Sequence, residues 1–100
     1  MAKQPETIFA ERIDKELKEQ FGTGIWLENI QQATKSGTPD RLCCINGKFV
    51  ALELKIDDGV VAPIQLMKLL DIKKAGGLGF VVYPHTWKLV LDKIKKVCVS

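Results

Sequence analysis

Residues 40–56, DRLCCINGKFVALELKI, decide the fold. Two strand-like runs, 40–45 and 48–56, flank Asn46-Gly47. Asn-Gly between apolar runs is the strongest short hairpin signal, because both central residues of a type I′ turn take positive φ. With these two in the turn, Ile45 faces Lys48, and counting outward sets Asp40 opposite Glu53. Side chains alternate along a strand, so Val50, Leu52, Leu54 and Ile56 form a core face. Phe49, Ala51, Glu53 and Lys55 share the other face, and Asp40 joins them across the hairpin.

Two carboxylates opposed across a sheet sit only about 5 Å apart at Cβ, which is destabilising. A fold that keeps them needs a shared proton, a cation or a metal ion. Lys55, two residues from Glu53, leaves one negative charge over. A hard, oxygen-loving divalent cation, Mg²⁺ or Mn²⁺, fits that remainder.

Outward from the hairpin, Pro5 and Glu6 open a helix whose Phe9, Ile13, Leu17 and Phe21 make one apolar stripe. Glu6 falls on that stripe and is a candidate third acidic ligand, with Glu11 as its rival. Gly22 and Gly24 end the helix, and residues 25–33 read as a strand. Pro63 starts a second helix that runs to Ala75, with Leu66, Leu69, Leu70 and Lys73 on one side. Residues 78–83 are a short strand. Residues 86–97 are a last helix with Trp87, Val90, Leu91 and Ile94 on its apolar face. The order α-β-β-β-α-β-α predicts an α/β domain, a mixed sheet with helices packed on it. Trp26 and Trp87 read as core residues rather than base-stacking platforms, and His85 as an incidental loop histidine.

Gly37-Thr38-Pro39-Asp40, then 12 residues, then Glu53-Leu54-Lys55, resembles the PD-(D/E)XK nuclease signature. With the hairpin, the helix-one glutamate and Pro63-Ile64-Gln65 opening the next helix, it resembles the VRR-NUC family. The likeness is to its short stand-alone phage and bacterial members and runs from about Glu6 to about Tyr83. The resemblance implies a restriction-endonuclease-like core and Mg²⁺- or Mn²⁺-dependent hydrolysis of DNA. Asp40, Glu53, the Leu54 carbonyl and Glu6 would then hold metal, Lys55 would activate water, and Gln65 would join the catalytic set. It also implies a branched, Holliday-junction-like substrate. Cutting two symmetric strands calls for a twofold homodimer.

Composition sets the outer limits. One hundred residues, 46% of them hydrophobic, make one domain, residues 1–100, with one core. No apolar run suits a membrane span, the charged N-terminus is no secretion signal, and a cytoplasmic setting in a bacterium or phage-infected cell is expected. Cys43, Cys44 and Cys98 fit neither a disulfide framework nor a zinc site, and are expected as buried reduced thiols. Residues 1–61 carry 8 basic and 10 acidic groups, whereas residues 62–100 carry 7 lysines against 2 aspartates. The basic part faces a polyanion in this reading, through Lys68, with Lys35 and Ser36 ahead of the Gly37 turn. Two rival readings are a non-catalytic DNA-binding or assembly module on the same fold, and a sequence-specific cutter. The second ranks lower, since the chain has little room for a groove-reading element.

Overall fold

The computed structural model describes residues 3–30 and 37–99. Helix α1 (Pro5–Phe21) leads through a 3₁₀ turn to β1 (Ile25–Asn29), β2 (Arg41–Ile45) and β3 (Lys48–Leu54). Then come α2 (Pro63–Lys74), β4 (Leu78–Val82) and α3 (Trp87–Cys98). The strands lie in the order β1-β2-β3-β4; the first three are antiparallel, and β4 runs parallel to β3. A parallel neighbour needs a crossover, and α2 supplies it. The order of elements and the mixed sheet agree with the sequence reading, and so does the hairpin. Asn46 and Gly47 have φ of 49° and 85°, and the ladder pairs Ile45 with Lys48 and Arg41 with Leu52.

The two sheet faces are covered unequally. One face packs Cys43, Ile45, Val50, Leu52 and Val82 against Phe9, Ile13 and Leu17 of α1 and against Trp87, Val90 and Ile94 of α3. The i, i+4 stripe of α1 and the apolar face of α3 are therefore buried as expected. Among the described helices, α2 is the one on the other face, where it lies over β3 and β4. It comes close at Gly79, where a Cβ would stand 3.1 Å from the Leu69 carbonyl oxygen. A Cβ at position 79 would require the helix backbone at Leu69 to give way by a few tenths of an ångström.

Several expectations are corrected here. On α2 only Leu69 of the expected inner set is fully buried; Leu66, Leu70 and Lys73 are exposed. Seating Leu69 on Gly79 and Gln65 on Glu53 turns the arc through 65, 69 and 72 inward and carries 66 and 70 outward. Trp26 is not core but 62% exposed, and Cys44 is an exposed thiol. Both point from β1 and β2 onto the half-face that α2 does not reach. Strand β1 pairs as far as Asn29, opposite the first residue of β2, and Ile30 lies outside it; residues 31–33 of the expected strand lie outside the described residues. Trp87, Cys43 and Cys98 are buried as expected. No described helix is long and apolar enough to cross a membrane.

Candidate active site

Asp40 stands one residue before β2, and Glu53 stands near the end of β3. The register carried one step past Arg41–Leu52 sets them opposite each other, as the hairpin count requires. Asp40 is held by the strand beside it: Leu54 N–H donates to its Oδ2 at 2.9 Å. Glu53 is 2% exposed, and its two oxygens have different surroundings. Oε2 accepts from Gln65 Nε2 at 2.8 Å and lies 3.6 Å from Lys55 Nζ. Oε1 is buried with no hydrogen-bond partner. Burial first, and the charge of Asp40 second, push the Glu53 carboxyl up to about 7, against the pull of Lys55.

Gln65 is aimed by the start of its own helix. Its Oε1 accepts from Ala62 N–H at 2.9 Å, so its amide NH₂ is the end turned to Glu53. The Pro63-Ile64-Gln65 opening thus does two jobs: it satisfies an orphan donor at the α2 N-terminus and fixes a side chain on the acid pair.

Three site residues escaped the sequence reading. Arg41 is 5% exposed and lies on the core face of β2. Its Nε donates to Asp14 Oδ1 at 2.8 Å and its Nη2 to Asp14 Oδ2 at 3.3 Å. Its Nη1 donates to Asn29 Oδ1 and to the Asp40 carbonyl, the latter at 3.1 Å. This clamp ties α1, β1 and the backbone of Asp40 together. The signal was present: strand alternation sets Arg41 beside Cys43 and Ile45 on the core face, where a guanidinium needs a carboxylate.

Among the other expected site residues, Glu6 is exposed in the first turn of α1 and lines a cleft of about 530 Å³ with Asp40, Glu11, Asp14 and Leu54. Its rival Glu11 is engaged by Lys3 Nζ at 2.9 Å. Among the described residues no three His, Cys, Asp or Glu side chains gather closely enough to hold a metal ion. The structure therefore brings Asp40, Glu53, Lys55 and Gln65 together and leaves Glu6 at the rim. Lys68 lies one turn beyond Gln65 on α2. Lys35 and Ser36 lie outside the described residues. His85 is exposed beyond β4, its ring stacked on Tyr83.

The donor set fits a divalent ion. A dehydrated carboxylate oxygen with no donor, beside a second carboxylate, is the chemistry that Mg²⁺ and Mn²⁺ satisfy.

No family model matches the chain, and no curated protein does. A solved structure described as a VRR_NUC domain is similar to it at a TM-score of 0.62 and 27% identity. The match covers 86% of this chain and 92% of that one.

Proposed function

From a chain of VRR-NUC type, supported by that likeness and by the motif, we propose a metal-dependent DNA endonuclease of the PD-(D/E)XK kind. The observation that carries the reading is the buried Oε1 of Glu53, without a hydrogen-bond donor, on a residue that stands opposite Asp40 across the hairpin. Asp40, Glu53 and the Leu54 carbonyl are the residues that would hold Mg²⁺ or Mn²⁺, with Glu6 reaching in from the rim. Bound there, the ion supplies charge relief for a phosphodiester and lowers the pKa of a water.

The chain's own groups set up the rest. The Leu54 N–H orients Asp40 through its Oδ2. Gln65 holds Glu53 through Oε2, which leaves Oε1 as its free donor atom. Lys55, near the same carboxylate, places an ammonium where charge develops on the phosphate and orients the attacking water. Lys68, and Lys35 with Ser36, hold the phosphate backbone. The preferred substrate is branched DNA of the four-way-junction kind, cut by a twofold homodimer.

The test uses labelled four-way junction, flap and linear duplex with Mn²⁺. Cleavage of the junction above the others, lost in Asp40→Ala and Glu53→Ala, supports the reading. No cleavage of any substrate, with Mn²⁺ binding equal in wild type and both variants, overturns it. One observation favours a second reading: the acid pair has no third close acidic partner among the described residues. A non-catalytic DNA-binding module would bind duplex or junction without cutting it and would bind no Mn²⁺ by calorimetry.

A further inference from the structure

Residues 55–62 join β3 to α2, and so lead from Lys55 to the Gln65 that steadies Glu53. The segment begins with a tight turn. Gly59 N–H donates to the Ile56 carbonyl at 2.9 Å, and Asp57 takes a φ of 49°, a conformation that aspartate tolerates. This turn folds Gly59 back over Lys55. A Cβ at position 59 would stand 3.5 Å from both Cβ and Cδ of Lys55, so the bare glycine backbone lies along the lysine stem. Two adjacent residues at the end of β4 hold the fold-back. The Val82 carbonyl accepts from Lys55 N–H at 2.9 Å, and the Tyr83 hydroxyl donates to the Gly59 carbonyl at 2.8 Å. Tyr83 is itself fixed. Its N–H donates to Thr86 Oγ1 at 3.0 Å, its carbonyl accepts from Thr86 N–H at 3.0 Å, and its ring stacks on His85 with centroids 5.5 Å apart.

We propose that Tyr83 is a positioning residue for Lys55. Its hydroxyl pins Gly59 on the lysine stem and so keeps the ammonium near Glu53, at 3.6 Å from Oε2. A lysine is a point charge on a flexible stem, and an unconfined one spreads over many rotamers, few of which bring the charge to a given phosphate. The geometry separates this role from two others. The hydroxyl donates to a backbone carbonyl of the loop, so it acts on the site through Lys55 and not on the acid pair itself. Gln65 has its own anchor at Ala62 N–H, so a loop loosened at Gly59 frees the lysine before it frees the amide that holds Glu53. Val82 and Tyr83 thus grip residue 55 by its backbone and residue 59 by a side chain, the two ends of the segment that wraps the lysine. The Lys55 side chain is accordingly only 22% exposed, although it lies past the end of the strand. This inference deepens the proposed nuclease site and rests on Lys55 working there, but the confinement of the lysine can be measured without metal or DNA.

The test compares wild type with Tyr83→Phe, which keeps the ring and removes the hydroxyl. Trace acetylation by acetic anhydride, on the metal-free chain without DNA, is read lysine by lysine by mass spectrometry. Lys95, half-buried on α3, is the internal reference. Single-turnover cleavage of four-way-junction DNA is followed at saturating Mn²⁺ and DNA. In Tyr83→Phe, Lys55 labelling is expected to rise about 2–10-fold against Lys95, the range that one neutral hydrogen bond is worth. The single-turnover rate is expected to fall by a similar factor, with Mn²⁺ and DNA affinities held within about twofold. Unchanged Lys55 labelling overturns the proposal: a lower melting temperature alone then makes the hydroxyl a structural tie, and slower cleavage alone makes it a direct participant. A rise shared equally by Lys95 is general loosening and overturns it as well. So does raised Lys55 labelling with an unchanged cleavage rate, because Lys55 then works wherever it lies. A wild-type chain that cuts no substrate, but whose Lys55 is unmasked by Tyr83→Phe, leaves the hold on Lys55 standing and overturns only the catalytic reading.

Discussion

At Glu53, one carboxylate serves two purposes: Oε2 is anchored by Gln65, and Oε1 is left bare. Gln65→Ala removes the anchor but no proposed metal ligand. It is expected to lower Mn²⁺ affinity and cleavage about 10–100-fold, as loss of an outer hydrogen-bond partner does. Calorimetry and single-turnover cleavage measure this. Glu53 also couples stability to pH. Its folded pKa of about 7 lies above the ordinary glutamate value of 4.5, chiefly through burial and then through Asp40. The metal-free folded chain thus holds a proton that the unfolded chain has released. The stability from this group is full below pH 4.5 and is lost as pH rises toward 7. Across that window the loss approaches roughly 3 kcal/mol, and Glu53→Gln should abolish it. Urea unfolding of both proteins at several pH values, without metal, gives the difference directly. Arg41 is the second sensitive residue. Arg41→Ala leaves Asp14 and Asn29 without their donor in a partly buried place, and is expected to cost about 3 kcal/mol in the same experiment.

Among the elements, α2 is where the site meets the sheet. Gly79→Ala puts a methyl about 3.1 Å from the Leu69 carbonyl oxygen and should destabilise by about 1–3 kcal/mol through overpacking. It should also weaken Mn²⁺ binding, because Gln65 rides on the displaced helix. The hairpin was fully legible in the sequence. Asn46-Gly47 dictates a local turn with a single register, and register alone opposes Asp40 and Glu53. The stripes of α1 and α3 were legible for a similar reason, since each meets one continuous core. The inner side of α2 was not. It is chosen by a glycine on a distant strand and by a carboxylate, and neither contributes to an apolar period. The exposure of Trp26 was hidden for the same reason: it depends on where α2 lies. Strand alternation places Arg41 on the core face, but its partners Asp14 and Asn29 lie on two other elements, so no local pattern names them.

For the whole molecule, the excess of lysines in residues 62–100 does not make one patch. Lys68, Lys73 and Lys74 sit on α2 over one sheet face, and Lys88, Lys93, Lys95 and Lys96 on α3 over the other. Only the first group shares a face with Glu53. Lys68→Glu should therefore weaken DNA binding and flatten its salt dependence by about one unit of slope, while Lys96→Glu changes little. Fluorescence anisotropy across a salt series separates the two. The topology also sets an order in time. Asp40 and Glu53 are joined by a hairpin with a two-residue turn, the kind of unit that closes in roughly 1–10 μs. Gln65 reaches Glu53 only when α2 docks and β4 pairs in parallel with β3, a non-local step that comes late. The like charges are thus brought face to face before the amide that steadies them is in place. During refolding the half-built site is a repulsive intermediate geometry, relieved by protonation or by a cation. Refolding of the wild-type chain should consequently quicken on adding Mn²⁺ or on mild acidification, and that of Glu53→Gln should not, as stopped-flow tryptophan fluorescence will record.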